Sequence, residues 1–285
     1  MEKKVKIASD STCDLSPEIT EKYGIRTVPL TVSLGNEHYR DGVDVDPDKI
    51  YAHYEATGEL PKTAAVNLTE FTEFLRELTA DGSSVVLFTI SSDMSSTFNN
   101  ARMAAMNFED VHVVDTRNLS TGGGLLVLAA ADMAAEGKSA AEIAEACRAI
   151  APRVDASFVV DDLEFLYKGG RCSALAALGA NLLSLKPCIS VVDGKMGVGK
   201  KYRGKYSITL KKYIEDQLKY IDEIETDRVF VTHAGCDPEL VEACVEQVKA
   251  YGMFKEVLVT RAGCTISAHC GKNTLGVLFI HKPQA

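Results

Sequence analysis

The chain has 285 residues, enough for one large or two ordinary domains, with the 46% hydrophobic and 25% charged residues of a globular protein rather than a disordered one. A net charge of −9 argues against nucleic acid as the main partner. No apolar run reaches the roughly 18 residues a membrane-spanning helix needs, so no integral membrane association is expected.

In chain order, the first residues, MEKKVKIASD, lead straight into a strand at Val5–Ala8 and lack the apolar core of a signal peptide; a cytoplasmic protein is expected. Ser16-Pro17 opens a helix that Gly24 closes. Thr27–Leu34 and His38–Arg40 read as a hairpin around Gly35-Asn36, and Asp46-Pro47 caps a helix ending near Gly58. A loop carrying Thr63 follows, then a helix opened by the Asn67/Glu70 pair. Val85–Ile90 is a near-continuous apolar run, hence a strand buried on both faces. Beyond its end lie SSDMSST (91–97) and a helix through Met106. Val111–Val114 is a further strand, followed by two Ala-rich helices up to about Pro152, the first with Gly122-Gly123-Gly124 near its start.

A second half begins with a strand at Phe158–Val160. It continues with an apolar helix (Ala174–Leu185), a long amphipathic helix (Ile208–Ile224), strand Val229–Thr232, helix Pro238–Tyr251 and strands Val257–Val259 and Gly276–Ile280. The alternation of strand and helix predicts an α/β protein with substantially parallel sheets, divided near residues 152–157 into domains 1–154 and 155–285. Gly194–Lys201 approaches the phosphate-binding GxxxxGK[ST] pattern, but position 201 is Lys, and Asp193-Gly194 between two strand-like runs reads as a hairpin turn.

Eight cysteines, scattered without a CxxC or framework spacing, read as free thiols of a reducing compartment, with no metal site expected. Between Lys195 and Lys212 there are seven basic residues and no acid, either a solvated face or a docking surface for an acidic partner. Thr63, Ser95 beyond the end of a buried strand, and His269 in a Gly-rich loop are the candidate binding residues. Ligands of open α/β sheets sit beyond the carboxyl ends of strands, and hydroxyls with an imidazole there suit a small anion such as a carboxylate. Helix capping alone also explains Ser95 and Ser96. The alternative is a stand-alone enzyme acting on a small carboxylate or phosphate, with His269 as general acid/base and Ser95 as nucleophile or ligand.

DSTCDL (10–15), PKTAAVN (61–67), ISSDMSSTFNNA (90–101), YKGGRCS (167–173) and TRAGCTISAHCGKNTLG (260–276) occur in the order in which similar segments occur in the DegV family, and the chain resembles that family over nearly its whole length. The resemblance implies two α/β domains with a lipid-binding tunnel between them. It also implies a bound long-chain fatty acid and no other cofactor, in a carrier rather than a catalyst. That carrier is the fatty-acid-binding subunit of a fatty acid kinase, which presents the carboxylate to a separate catalytic subunit for conversion to acyl phosphate in phospholipid synthesis. By the same resemblance Thr63, Ser95 and His269 hold the carboxylate, Arg171 and Ser96 lie near the headgroup, and Arg203 engages the kinase. The chain departs from the family's common TSQP, LSGT and HxGPG patterns at Thr63–Val66, Met94–Thr97 and His269–Lys272.

Overall fold

The apolar run after the lysine-rich start forms β1 (Val5–Asp10), and its neighbours are β2 (Arg26–Val28) on one side and β6 (Ser84–Thr89) on the other. With β7 (Val111–Asp115) these make a four-stranded, all-parallel sheet in the order β2-β1-β6-β7. The computed structural model describes residues 3–175 and 185–283. Every residue of β6 is buried, as its unbroken apolar pattern predicts for a strand covered on both faces.

A small antiparallel sheet follows from β3 (Thr31–Leu34), β4 (Glu37–Arg40) and β5 (Lys62–Ala64), in the order β4-β3-β5. The single strand expected over Thr27–Leu34 is therefore two. Its first part pairs with β1 and its second with β4, and the break falls at Pro29-Leu30, where proline has no N–H for a ladder. Thr63 correspondingly lies on a strand, paired with Val32, and not in a loop.

The helix starts follow their capping residues. In α1 (Pro17–Tyr23) Ser16 accepts from the Ile19 N–H, and in α2 (Pro47–Thr57) Asp46 accepts from Lys49. In α3 (Leu68–Thr79) Asn67 and Glu70 form a reciprocal capping box. Then come α4 (Thr97–Ala105), α5 (Ser120–Ala135) and α6 (Ala140–Ile150).

The second sheet has six strands: β8 (Val154–Val160), β9 (Lys186–Val192), β10 (Lys195–Tyr202), β11 (Arg228–Ala234), β12 (Glu256–Arg261) and β13 (Thr274–Ile280). Their order is β10-β9-β8-β13-β11-β12, and only β11 and β12 run parallel. The expectation of mainly parallel sheets thus fails for this half. A strand buried on both faces is a continuous apolar run whichever way its neighbours point, so β13 carries no sign of its direction. The Asp193-Gly194 turn does join β9 and β10 as a hairpin, with positive φ at both residues.

Around this sheet lie α7 (Glu164–Gly169), α8 (Tyr206–Gln217), α9 (Pro238–Lys249) and α10 (Cys264–Cys270). The long helix expected over Ile208–Ile224 stops at Gln217. The chain then turns through a short 3-10 segment, which brings Ile224 into the core beneath α8 and beside His281. Most of the apolar helix expected over Ala174–Leu185 lies outside the described residues.

The helix α5 sits between the two large sheets. It is apolar on nearly every face, and one core cluster joins it to Ile7, Val86 and Phe88 of the parallel sheet and to Ala156, Phe230 and Leu278 of the other. Its glycines permit that fit: a Cβ at Gly122 would lie 3.0 Å from Ala156 Cβ, and one at Gly124 would lie 2.8 Å from the Cys13 carbonyl oxygen.

Candidate carboxylate-binding site

The segment around His269, expected as a Gly-rich loop, is the short helix α10. Small residues let it lie between the halves, and buried carboxylates hold its start. Asp14 accepts from the Gly263 N–H at 2.9 Å, and Asp41 accepts from Cys264 at 2.8 Å and Thr265 at 3.2 Å. These two acids, drawn from the DSTCDL segment and from the end of β4, supply the partners that unpaired helix-start N–H groups require. Asp14 also accepts a bond from the Ser120 hydroxyl at the start of α5. Burial pushes the Asp14 carboxyl well above its usual range and that of neighbouring Asp10 to about 6.

This anchoring sets His269 in the last turn of the helix, where its Nε2 and the Thr63 Oγ1 share a hydrogen bond of 2.8 Å. The pair links β5 to α10 across 206 positions of sequence. The other ring nitrogen, Nδ1, is shut off from solvent without a partner and lies against Gly169, where a Cβ would come within 2.8 Å. Burial, followed by the charge of Arg171, lowers the imidazole to about 4, so the ring is neutral at neutral pH. With the proton on Nε2, the ring donates to Thr63 Oγ1, and the Thr63 hydroxyl hydrogen is free for a ligand.

Ser95 lies in the turn after β6. Its Oγ accepts from the Thr97 N–H at 3.2 Å and pairs with the Thr97 hydroxyl at 2.8 Å. It therefore starts α4 and also faces the cavity that holds His269. Thr63, Ser95, Arg171 and His269 line one cavity of about 60 Å³. Its other walls are mostly apolar and include Leu30, Ile90, Met94, Leu119, Met196 and Ile266. A second, smaller cavity of about 30 Å³ shares Leu119, Ile266 and Cys270 with the first and continues toward Phe158 and Leu278.

Ser96 and Arg203 line neither cavity. Ser96 is exposed at the start of α4, and Arg203 is exposed just after β10. Arg171 is exposed and donates to the Gly169 carbonyl at 2.8 Å. The enzyme alternative needs an imidazole paired with Ser95. The hydroxyl bonded to His269 is that of Thr63, and no carboxylate orients the ring among the described residues. All eight cysteines are free and buried, and no group of three His, Cys, Asp or Glu among the described residues is arranged to hold a metal ion.

Sequence reasoning missed Asp14, Asp41, Gly169 and Thr265. The Thr265–His269 spacing of four was a legible sign that both share one helix face, had the segment been read as a helix.

The family model described as "Uncharacterised protein, DegV family" matches residues 4–282. This chain belongs to the DegV family. A DegV domain-containing protein of Caldanaerobacter subterraneus subsp. tengcongensis is 32% identical over 285 residues, spanning 98% of this chain and 99% of the relative. A solved DegV family protein from Thermus thermophilus, described as binding fatty acid, is 30% identical with a TM-score of 0.88, covering 98% of this chain and 100% of that one. A stearic-acid-binding protein from Eubacterium ventriosum is 28% identical, with a TM-score of 0.83 and 98% of each chain covered. The architecture here is thus the α/β fold of DegV proteins.

Proposed function

We propose that this DegV protein binds a long-chain fatty acid. The carboxylate binds at Thr63, Ser95 and His269 beside Arg171, with the Thr63 and Ser95 hydroxyls donating to it and the His269 Nε2–H orienting the Thr63 hydroxyl, and the tail runs past Leu119 and Ile266 between the halves. The observation that carries this reading is the Thr63–His269 pair, brought together from distant segments in a cavity whose remaining walls are mostly apolar. The fatty acids bound by its Thermus and Eubacterium relatives support the same ligand class. Ligand pockets commonly run to roughly 300–1,000 Å³, so admitting the tail requires the apolar walls to part well beyond joining the two cavities at Leu119, Ile266 and Cys270. Each buried methylene contributes about 0.8 kcal/mol, which favours that opening.

The protein's role in this reading is to present the carboxylate to a separate kinase subunit. A carboxylate oxygen attacks the γ-phosphorus of ATP held by that subunit, giving acyl phosphate and ADP. In this reading Arg203 belongs to the docking surface, which its exposure on a basic segment of an acidic chain supports.

Organic extraction and mass spectrometry of the purified protein test the first part: about one long-chain fatty acid per chain is expected. His269→Ala and Thr63→Val are each expected to weaken palmitate binding by about 1.5–3 kcal/mol while changing binding of the corresponding alcohol much less. Protein that neither carries nor takes up lipid overturns the reading. Arg203→Glu is expected to keep lipid binding but lose most acyl phosphate formation when a fatty acid kinase catalytic subunit and ATP are supplied. Equal product from both proteins removes Arg203 from the interface.

A further inference from the structure

Thr265 lies one helical turn before His269 on α10 and lines the same cavity. It is only 4% exposed, yet its hydroxyl has no hydrogen-bond partner. The hydroxyls around it are paired. Ser267 donates to the Ala262 carbonyl, Thr274 donates to the Cys270 carbonyl, and Thr121, Thr232 and Thr260 form a chain at 2.6 and 3.1 Å. The other unpaired buried hydroxyls among the described residues, Tyr51, Thr89 and Thr209, line neither of the two cavities between the halves.

A buried hydroxyl left unpaired is costly, whereas a valine of the same shape carries no such cost. An unpaired hydroxyl facing a ligand cavity among Leu30, Ile90, Leu119 and Ile266 is explained by a polar group that arrives with the ligand. Residues four apart on a helix have Cβ atoms about 5–6 Å apart, so Thr265 reaches the ligand a short way beyond the group bound at the Thr63–His269 pair. Ala64 and Ala65 line the same cavity, and their single methyls leave room for a substituent.

We infer that Thr265 is a specificity residue for acids that carry a hydroxyl within the first few carbons of the chain, with 3-hydroxy fatty acids as the ligand class. This rests on the fatty-acid reading above: the Thr63 and Ser95 hydroxyls hold the carboxylate, His269 orients Thr63, and the Thr265 Oγ1 bonds the hydroxyl of the ligand.

The test compares palmitate with 3-hydroxypalmitate on wild type and on Thr265→Val, with delipidated full-length protein and displacement of a fluorescent fatty acid as readout. Wild type is expected to bind the hydroxy acid at least as tightly as palmitate. In Thr265→Val the hydroxy acid is expected to weaken roughly tenfold relative to palmitate, while palmitate itself stays within about threefold. Denaturant unfolding of the unliganded variant checks that it is folded, and its stability is expected to equal or exceed that of wild type. Palmitate binding with the same ratio of the two acids in both proteins overturns this inference alone. Failure of wild type to bind either acid overturns it together with the fatty-acid reading.

Discussion

His269 is neutral because it is buried, and that burial makes it a measurable element of stability as well as of binding. Its value falls from 6.5 to about 4 on folding, so the unfolded chain takes up a proton at a higher pH than the folded one. The stabilising contribution is therefore fully present above pH 6.5 and is lost as pH falls through about 4. Asp10 acts in the opposite sense: its carboxyl is raised from 3.8 to about 6, so its contribution is fully present below 3.8 and is lost as pH rises through about 6. Asp14, also raised by burial, acts in the same sense as Asp10, so the His269 part is read only by difference. Relative to His269→Gln, wild type is expected to lose about 2–3 kcal/mol as pH falls across that window, read by urea unfolding at several pH values. A difference that stays constant with pH means that the ring is not desolvated in solution.

At the scale of elements, α5 joins the two sheets, and its glycines are not equivalent. A Cβ at Gly124 meets the Cys13 carbonyl at 2.8 Å and Leu15 Cδ2 at 2.9 Å, and a backbone atom cannot swing aside. A Cβ at Gly123 meets only the Thr116 side chain at 3.4 Å, an ordinary contact. Gly124→Ala is therefore expected to destabilise by about 1–3 kcal/mol, and Gly123→Ala to be neutral or to stabilise by up to about 1 kcal/mol through helix propensity. Equal midpoints for the two variants in denaturant contradict this packing. The sequence made such local features readable. The Ser16, Asp46 and Asn67 caps, the buried run of β6 and the Asp193-Gly194 turn are each decided by residues within a few positions. What it hid depends on distant chain. The order β8-β13-β11 is chosen by packing, and α10 exists as a helix because Asp14 and Asp41, more than 200 residues earlier, satisfy its first N–H groups. Thr63, Ser95 and His269 were legible as residue types, whereas the Thr63–His269 bond and the unpaired Thr265 hydroxyl required the fold.

At the scale of the whole molecule, the two halves share a core. The cluster containing α5 takes side chains from both sheets. Polar links cross at several further places: Ser91 donates to the Gly194 carbonyl at 2.7 Å, Arg228 pairs with Asp132, and Arg261 pairs with Asp48. Opening the halves would expose α5 to water on a face that is apolar over its length, a cost that scales with the area uncovered. One cooperative transition in urea is expected, despite a length at which domains often unfold separately. Hydrogen exchange read by mass spectrometry at increasing urea distinguishes the cases. Peptides from β6 and from β13 are expected to lose protection at the same midpoint, with one dependence on denaturant. If β13 peptides open well before β6 peptides, the halves are energetically separate. A ligand held between them then stabilises by bridging rather than by filling one core. If fatty acid binds at the proposed site, where α10, the start of α5 and the end of β6 meet, it is expected to raise the common midpoint of both sets of peptides together.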